Sequence, residues 1–281
     1  MRTLVRMAAT PAVDSSGMTI HPRRIDRMLH HLTWSSAGRA SLFPDEAHRR
    51  LALRTLARVA GEETVLFCLV DDHLHLVATE GGPLSRAVLL ALRGVAAAEL
   101  EPAHVRPVKG RSHLEWLVSY LLTQVDKHGL AHHPALSTGS FFADLVGARA
   151  LFPGLPGRFR AQLPRFRLRQ CHNIVGLPQQ PLVPADDEAV RTAGPARLVA
   201  AAACALAAGP ELSGKAAERV LARRAAACLG ASAGIGTAEL AWALDQPARS
   251  VRRLQDIAPD PKVLTSVRLR LALEEVVAGS I

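Results

Sequence analysis

The sequence predicts an α+β protein in which an antiparallel sheet with flanking helices is followed by an all-α domain. Short apolar or alternating runs between residues 30 and 108 are typical of strands, whereas intervening runs with apolar residues every three or four positions are typical of helices. From Asp186 onward the chain is rich in alanine and helical in its spacing. We therefore predict a first domain at 1–148, a Pro/Arg-rich linker at 149–185 and a helical domain at 186–281.

The first domain is expected to contain four strands and three helices. Asp45 is suited to cap the first helix and Gly61 to end it, while Asp71-Asp72 predict the turn of a hairpin. The order β-α-β-β-α-β-α is that of a ferredoxin-like sandwich with an added helix. The predicted elements are a strand at 30–36, a helix at 46–60, strands at 64–70 and 73–80, a helix at 84–100, a strand at 105–108 and a helix in segment 112–129.

The last of these helices has clear predicted ends and carries the only tyrosine of the chain. Ser112 and Glu115 match a capping box at its start, and Gly129 suits the position just beyond its end. Tyr120 and Gln124 share a face, about 100° from the centre of the buried stripe. They would therefore flank the interface with the sheet. The predicted stripe consists of Leu114, Leu117, Val118, Leu121 and Val125.

Charge and cysteine usage narrow the class of partner and the compartment. The net charge of +9 and the isoelectric point near 10.4 favour a polyanionic partner, with nucleic acid ahead of an anionic membrane surface. Four widely spaced cysteines without a C-x-x-C pair indicate a reduced, cytoplasmic setting. Residues 1–24 lack the apolar core of a signal peptide, and no apolar run is long enough to span a membrane.

A histidine pair in the second half of the predicted hairpin indicates a metal site. His73 and His75 are separated by one apolar residue on a strand, so both side chains point to the same face. Gln124 could add an oxygen ligand for Mg²⁺ or Mn²⁺, and Tyr120 could serve as a nucleophile. The alternative interpretation is a pair of partly buried, hydrogen-bonded histidines without a metal.

Three segments of the first domain carry a family resemblance: HHLTWSSAGRASLF from residue 30, DDHLHLVATEGGPLSR from residue 71, and YLLTQVDKHGL from residue 120. With them, residues 30–147 resemble the single-tyrosine HUH transposases, including those associated with repetitive extragenic palindromes. The resemblance implies a divalent metal held by the two histidines and by Gln124. It also implies that Tyr120 attacks single-stranded DNA and forms a 5′-phosphotyrosine bond. The chain departs from the family pattern at Asp71-Asp72 and at 123–129 (TQVDKHG).

Basic residues near the tyrosine and in the linker are expected to contact DNA. Lys127 could contact a phosphate, although a solvated position is the alternative. The segment RFRAQLPRFRLR (158–169) interleaves arginine with phenylalanine, a combination that suits single strands, and an exposed linker is the alternative. Its predicted DNA contacts are Arg158, Arg160, Arg165, Arg167 and Arg169.

The helical domain contains a predicted helix-turn-helix motif at 237–255. Pro247 suits the first position of its recognition helix, whereas Asp245 stands where a turn glycine is more usual. Together with the preceding helix at 214–230, the motif resembles the DNA-binding domain of replication initiators of the DnaA type. A packed helical bundle without DNA contacts is the alternative. The expected contacts are Arg249, Ser250, Arg252 and Arg253.

We therefore expect a metal-dependent DNA endonuclease or transposase-like transesterase that acts on hairpin-bearing single-stranded DNA near the bacterial nucleoid. A catalytically silent DNA-binding regulator is the main alternative, and an RNA-binding protein is a third. Aromatic residues on the predicted strands are too few to favour RNA binding through the sheet. The sequence leaves both a monomer and a homodimer open.

Overall fold

The computed structural model describes residues 28–130 and 132–280. Within these residues, four strands form one antiparallel sheet and twelve α-helices pack around and beyond it, which confirms the α+β class. The segment for which no signal peptide is predicted lies outside the described residues. None of the described helices combines the length and the apolarity that crossing a membrane requires.

The sheet is built from β1 (His30–Ser35), β2 (Thr64–Leu69), β3 (His73–Ala78) and β4 (His104–Pro107). Its strand order is β2-β3-β1-β4, and every neighbouring pair is antiparallel. The two edges differ. At the β2 edge, the chain that follows the predicted helix at 112–129 covers the strand, and the Leu69 amide donates to the Gly139 carbonyl at 2.9 Å. At the other edge, every residue of β4 is exposed.

The helices of the first part follow the predicted order. The Asp45 carboxylate accepts a hydrogen bond from the His48 amide at 2.9 Å, so it caps the first helix as predicted. These helices are α1 (Glu46–Ala60), α2 (Gly82–Leu92), α3 (Arg111–Leu122), α4 (Gln124–Lys127), α5 (Phe142–Leu145), α6 (Leu155–Gln162) and α7 (Leu168–Ile174).

Two predictions about helix ends are wrong. Helix α2 ends at Leu92 rather than Leu100, because the Ala97 amide donates to the Leu42 carbonyl and Leu100 bridges to the chain just beyond β1. The predicted capping box at Ser112 is not the start of α3, since Gly110 is the N-cap, with a φ of 91°. The predicted position of Gly129 just beyond the helical segment is confirmed, with a φ of 60°.

The predicted helix that carries Tyr120 is interrupted at Thr123. The Thr123 hydroxyl donates to the carbonyls of Ser119 and Tyr120, both at 3.1 Å, and the chain restarts as α4 at Gln124. All five residues of the predicted apolar stripe are buried. The interruption therefore leaves the buried face of α3 and α4 continuous.

Two stretches of the predicted linker at 149–185 are helical, since Leu155–Gln162 forms α6 and Leu168–Ile174 forms α7. Phe152, Leu155, Phe159 and Leu163 are buried in the same core as the sheet. The linker was predicted from its Pro- and Arg-rich composition, which does not indicate which of its apolar residues are buried. Residues 175–186, between α7 and α8, form no helix.

A second apolar core lies among the C-terminal helices. Helix α12 joins the two cores, because Leu273 and Val277 pack into the first core while Val267 and Leu271 pack into the second. The C-terminal helices are α8 (Asp187–Ala205), α9 (Ala217–Ser232), α10 (Thr237–Ala243), α11 (Ala248–Gln255) and α12 (Pro261–Ala278).

Candidate metal and nucleophile site

The strand register gathers polar side chains on one face of the sheet. Thr33 on β1 lies opposite His75 on β3 and opposite His104 on β4. Because alternate residues share a face, His31 and His73 join them. His31 was not among the ligands predicted from the sequence, although its alternation with Thr33 on β1 could have revealed it.

His75 lies at the centre of this face and is only 4% exposed. Its Nδ1 atom is 3.1 Å from both the Thr33 hydroxyl and the His31 Nε2 atom. Among the described residues, no group hydrogen-bonds to its Nε2 atom. When Nδ1 donates to the Thr33 oxygen, Nε2 carries a free lone pair, which is the arrangement of metal-binding histidines.

Burial keeps two histidines of this face, His75 and His31, neutral. Desolvation, followed by the neighbouring histidines His73, His31 and His128, lowers the pKa of His75 to about 2. Desolvation, reinforced by His113 and Arg106, lowers the pKa of His31 to about 4. Neutral imidazole is the form that binds metals, so both side chains are ready to act as ligands or to support one.

A second group of potential ligands lies beside His75. Three half-buried residues each offer one potential ligand atom, and these atoms lie within 4.8 Å of one another. The residues are Asp72, His73 and His128. The Asp72 carboxylate is 2.7 Å from His73 Nδ1 and 3.9 Å from His128 Nδ1. The rings of His73 and His75 are 4.6 Å apart, centre to centre. Two imidazoles and a carboxylate suit a divalent cation such as Mn²⁺.

The structure thus brings His73 and His75 together as predicted and adds two residues to the candidate site. His128 was not among the ligands predicted from the sequence, and Asp72 was predicted only as part of a turn. Sequence spacing does not bring the two together, because His128 follows α4 while Asp72 precedes β3. Their approach depends on how α4 packs against the hairpin.

Gln124, the third predicted ligand, is buried with 3% exposed. Its amide nitrogen donates to the Tyr120 carbonyl at 3.0 Å. This bond directs the nitrogen toward the helix backbone and leaves the amide oxygen as the atom that could coordinate a cation. Its role as a ligand stays a prediction.

Tyr120 borders the histidine face. Its ring centre lies 5.4 Å from that of His75 and 4.9 Å from that of Trp116, with which it is stacked at an interplanar angle of 15°. The Lys127 ammonium lies 4.7 Å from the ring centre. Burial raises the pKa of the Tyr120 phenol, with a smaller contribution from Cys68. The phenol therefore needs help to ionise before it can act as a nucleophile.

The predicted arginine contacts of the linker divide into two groups. Arg158 donates to the Thr64 carbonyl at 2.6 Å and to the Gly61 carbonyl at 2.5 Å, so its guanidinium binds the protein's own backbone rather than DNA. This corrects its predicted role. Phe159, which was expected beside bases, is buried. The exposed members are Arg160, Arg165, Arg167 and Arg169.

The residues of the predicted helix-turn-helix motif form the two short helices α10 and α11. Val251 is fully buried, and the three arginines of α11 are exposed while Ser250 is half-buried. Pro247 is the N-cap of α11 rather than its first residue. Asp245 has a φ of 49°, so this aspartate adopts the left-handed conformation for which glycine is usually selected. The exposed arginines of the helix are Arg249, Arg252 and Arg253.

Comparisons with known proteins do not assign the chain to a family: no family model matches it, and neither a curated protein nor a solved structure is significantly similar to it. The arrangement of side chains around Tyr120 is therefore the basis on which a function is proposed. Its most testable feature is the group of candidate cation ligands.

We expect that replacing both His73 and His75 by alanine lowers the affinity for Mn²⁺ by at least about tenfold, because two imidazole ligands are lost. Asp72→Asn should weaken binding in the same direction, since it removes the carboxylate charge beside His73. Titration calorimetry of the full chain measures both effects. His48→Ala is the matched control, because His48 pairs with Asp45 at 2.9 Å on α1, outside the candidate group. Equal Mn²⁺ affinity in the double variant and the control would show that the histidine pair is structural.

Proposed function

We propose that this chain is a metal-dependent endonuclease or transposase-like transesterase that cleaves single-stranded, hairpin-bearing DNA with Tyr120. The observation that carries the proposal is the position of the Tyr120 ring, 5.4 Å from a buried histidine whose Nε2 atom has no partner among the described residues. The candidate ligands Asp72, His73 and His128 adjoin that histidine. A nucleophile beside neutral metal ligands suits metal-assisted transesterification of a phosphodiester.

The topology supports the same class of protein. The first six elements run β1-α1-β2-β3-α2-β4, and the strand order is β2-β3-β1-β4. This is the arrangement of a ferredoxin-like sandwich, which we propose as the fold of the first part. In the proposed HUH domain, β3 carries the histidine pair and α3, which follows β4, carries the nucleophile.

The chemistry follows from the positions of the side chains. The Tyr120 oxygen attacks the phosphorus of a single strand while the phenolic proton passes to water, and a bond forms between tyrosine and phosphate. The bond from phosphorus to the 3′ oxygen breaks, and that oxygen takes up a proton from water and leaves as a 3′ hydroxyl. Lys127 places positive charge 4.7 Å from the ring and favours the phenolate. The divalent cation supplies charge neutralisation at the phosphate when it is bound.

The reaction is tested by incubating the full-length protein with end-labelled oligonucleotides, with and without Mn²⁺. We expect cleavage of a hairpin with a single-stranded extension only when the cation is present. A fully duplex oligonucleotide of the same sequence should remain intact, because the attacked phosphate must reach Tyr120 in a single strand. The proposal is contradicted by equal cleavage in Mn²⁺ and in excess chelator.

The C-terminal helices are proposed to bind duplex DNA through α11. Counterion release makes the affinity for duplex depend on salt, with a slope proportional to the number of phosphates contacted. A truncated first domain is unsuitable for this test, since α12 contributes Leu273 and Val277 to the first core. The full-length chain must therefore carry the substitutions.

Replacing Arg249, Arg252 and Arg253 together by glutamine should flatten the log–log salt slope by up to about three, if each arginine contacts one phosphate. Fluorescence anisotropy with a duplex probe at several salt concentrations measures the slope. A triple glutamine variant of exposed arginines in α1, in α2 and just beyond α2 carries the same change in charge and serves as the control. Slopes that fall equally in the two variants would indicate a general charge effect rather than an interface at α11. The control positions are Arg58, Arg86 and Arg93.

A further inference from the structure

Trp116 is a large aromatic residue that is exposed to solvent. Its side chain is 55% exposed, whereas Trp34 in the sheet is fully buried. Trp116 lies on α3 between His113 and Tyr120, with ring centres 5.9 Å and 4.9 Å away, respectively. The spacing of three and then four residues places the three rings in a row along one face of the helix.

This row lines a cleft of about 900 Å³ that opens at the exposed edge of the sheet. His31, Thr33 and His75 also line it, so the cleft reaches the candidate metal site.

Positive charge borders the aromatic row. Arg106 on β4 and Lys109 after it are exposed cleft residues, and no acidic side chain is found among the described residues that line the cleft. The Arg106 guanidinium donates to His104 at 2.5 Å, and the Lys109 amide donates to His113 at 3.0 Å. These bonds hold the rim in place. An aromatic surface edged by cations is the combination that single-stranded nucleic acids bind, through base stacking and phosphate contacts.

We propose that Trp116 is a stacking platform for one unpaired DNA base, and that it positions the strand so that the adjoining phosphate faces Tyr120. Arg106 and Lys109 contact the neighbouring phosphates along the edge of β4. The position beside the attacked phosphate rests on the function proposed above, whereas the stacking itself requires no chemistry. Trp116 is thus a substrate-binding residue that the sequence interpretation did not single out.

Fluorescence can observe this stacking directly. The chain has three tryptophans, of which Trp34 is buried and Trp242 is exposed on α10. In a Tyr120→Phe/Trp242→Phe background, the change in emission on adding a short oligothymidylate comes from Trp116, and no cleavage intervenes. We expect saturable quenching. Trp116→Ala in the same background should weaken the binding of a labelled strand by roughly 5- to 150-fold. Fluorescence anisotropy of the label measures this affinity.

Two controls separate stacking from a structural role. Trp116→Phe keeps an aromatic ring and should restore most of the affinity, while unchanged melting temperatures exclude loss of the fold. An abasic strand of equal length should bind the Tyr120→Phe/Trp242→Phe protein weakly. Its affinity should match that of oligothymidylate for the same protein with Trp116→Ala added. Unquenched emission at saturation, or equal affinity of Trp116→Ala and the parent, would overturn the proposal. Tighter binding of oligouridylate than of oligothymidylate would overturn the assignment to DNA.

The outcome is distinguishable from failure of the proposed enzyme. Quenching in the Tyr120→Phe/Trp242→Phe background together with an inactive wild-type protein would retain the stacking site and reject the nuclease. Cleavage by the wild type without any dependence on Trp116 would retain the nuclease and reject the platform.

Discussion

Tyr120→Phe is expected to eliminate covalent attachment to DNA and to reduce cleavage by roughly a thousandfold or more, because the variant lacks the oxygen that attacks phosphorus. The measurement is single-turnover cleavage of a labelled hairpin oligonucleotide in Mn²⁺. The effect should be this large because Tyr120 is the only tyrosine of the chain, so no other phenol can replace it.

The phenylalanine variant is also its own structural control. It keeps the ring that stacks on Trp116 and removes only the hydroxyl. Its melting temperature and Mn²⁺ affinity should therefore match those of the wild type. Cleavage by the variant at the wild-type rate would mean that Tyr120 is not the nucleophile.

The second large effect concerns stability. Arg149 and Asp144 form an ion pair at 2.5 Å, with 4% and 0% of their side chains exposed. Arg149 also donates to the carbonyls of Thr138 and Ser140, at 2.7 Å and 2.5 Å. The pair ties together the segment that covers the edge of β2. Arg149→Met should lower the free energy of unfolding by about 3–5 kcal/mol, because it leaves a buried carboxylate without its partner.

The matched control is Arg197→Met on α8. Arg197 pairs with Glu275 at 3.1 Å, but 49% and 73% of the two side chains are exposed. Water screens such a pair, so its loss should cost less than about 1 kcal/mol. Urea unfolding of both variants provides the comparison. Similar small losses in the two would contradict the structural role assigned to the buried pair.

The start of α1 and the histidine face of β3 were predictable because their sequence signals are local. Asp45 caps a helix through its own side chain, and the alternation of His73 and His75 follows from strand geometry alone. The end of α2 was not predictable in this way. It depends on a hydrogen bond from Ala97 to Leu42, two residues that are distant in the sequence. The helices within the predicted linker depend in the same way on the core against which Phe152 packs.

The candidate site shows the same limit. Spacing predicted that His73 and His75 share a face, and that Tyr120 flanks the sheet. The contribution of His31 required the pairing of β1 with β3, and that of His128 required the packing of α4 beside Asp72. Pairing and packing are tertiary contacts, which a pattern along one strand or helix does not contain.

The proposed reaction requires a covalent bond between Tyr120 and the 5′ phosphate of cleaved DNA. The most direct measurement is to incubate the wild-type protein and Mn²⁺ with oligonucleotides labelled at either end, and then to digest the denatured adduct with trypsin for mass spectrometry. We predict that the 3′ label stays with the protein, that the 5′ label is released, and that the nucleotide mass lies on Tyr120 in the peptide Ser112–Lys127. A nucleotide adduct on any other residue, or cleavage that leaves neither label on the protein, would show that Tyr120 is not the attacking nucleophile.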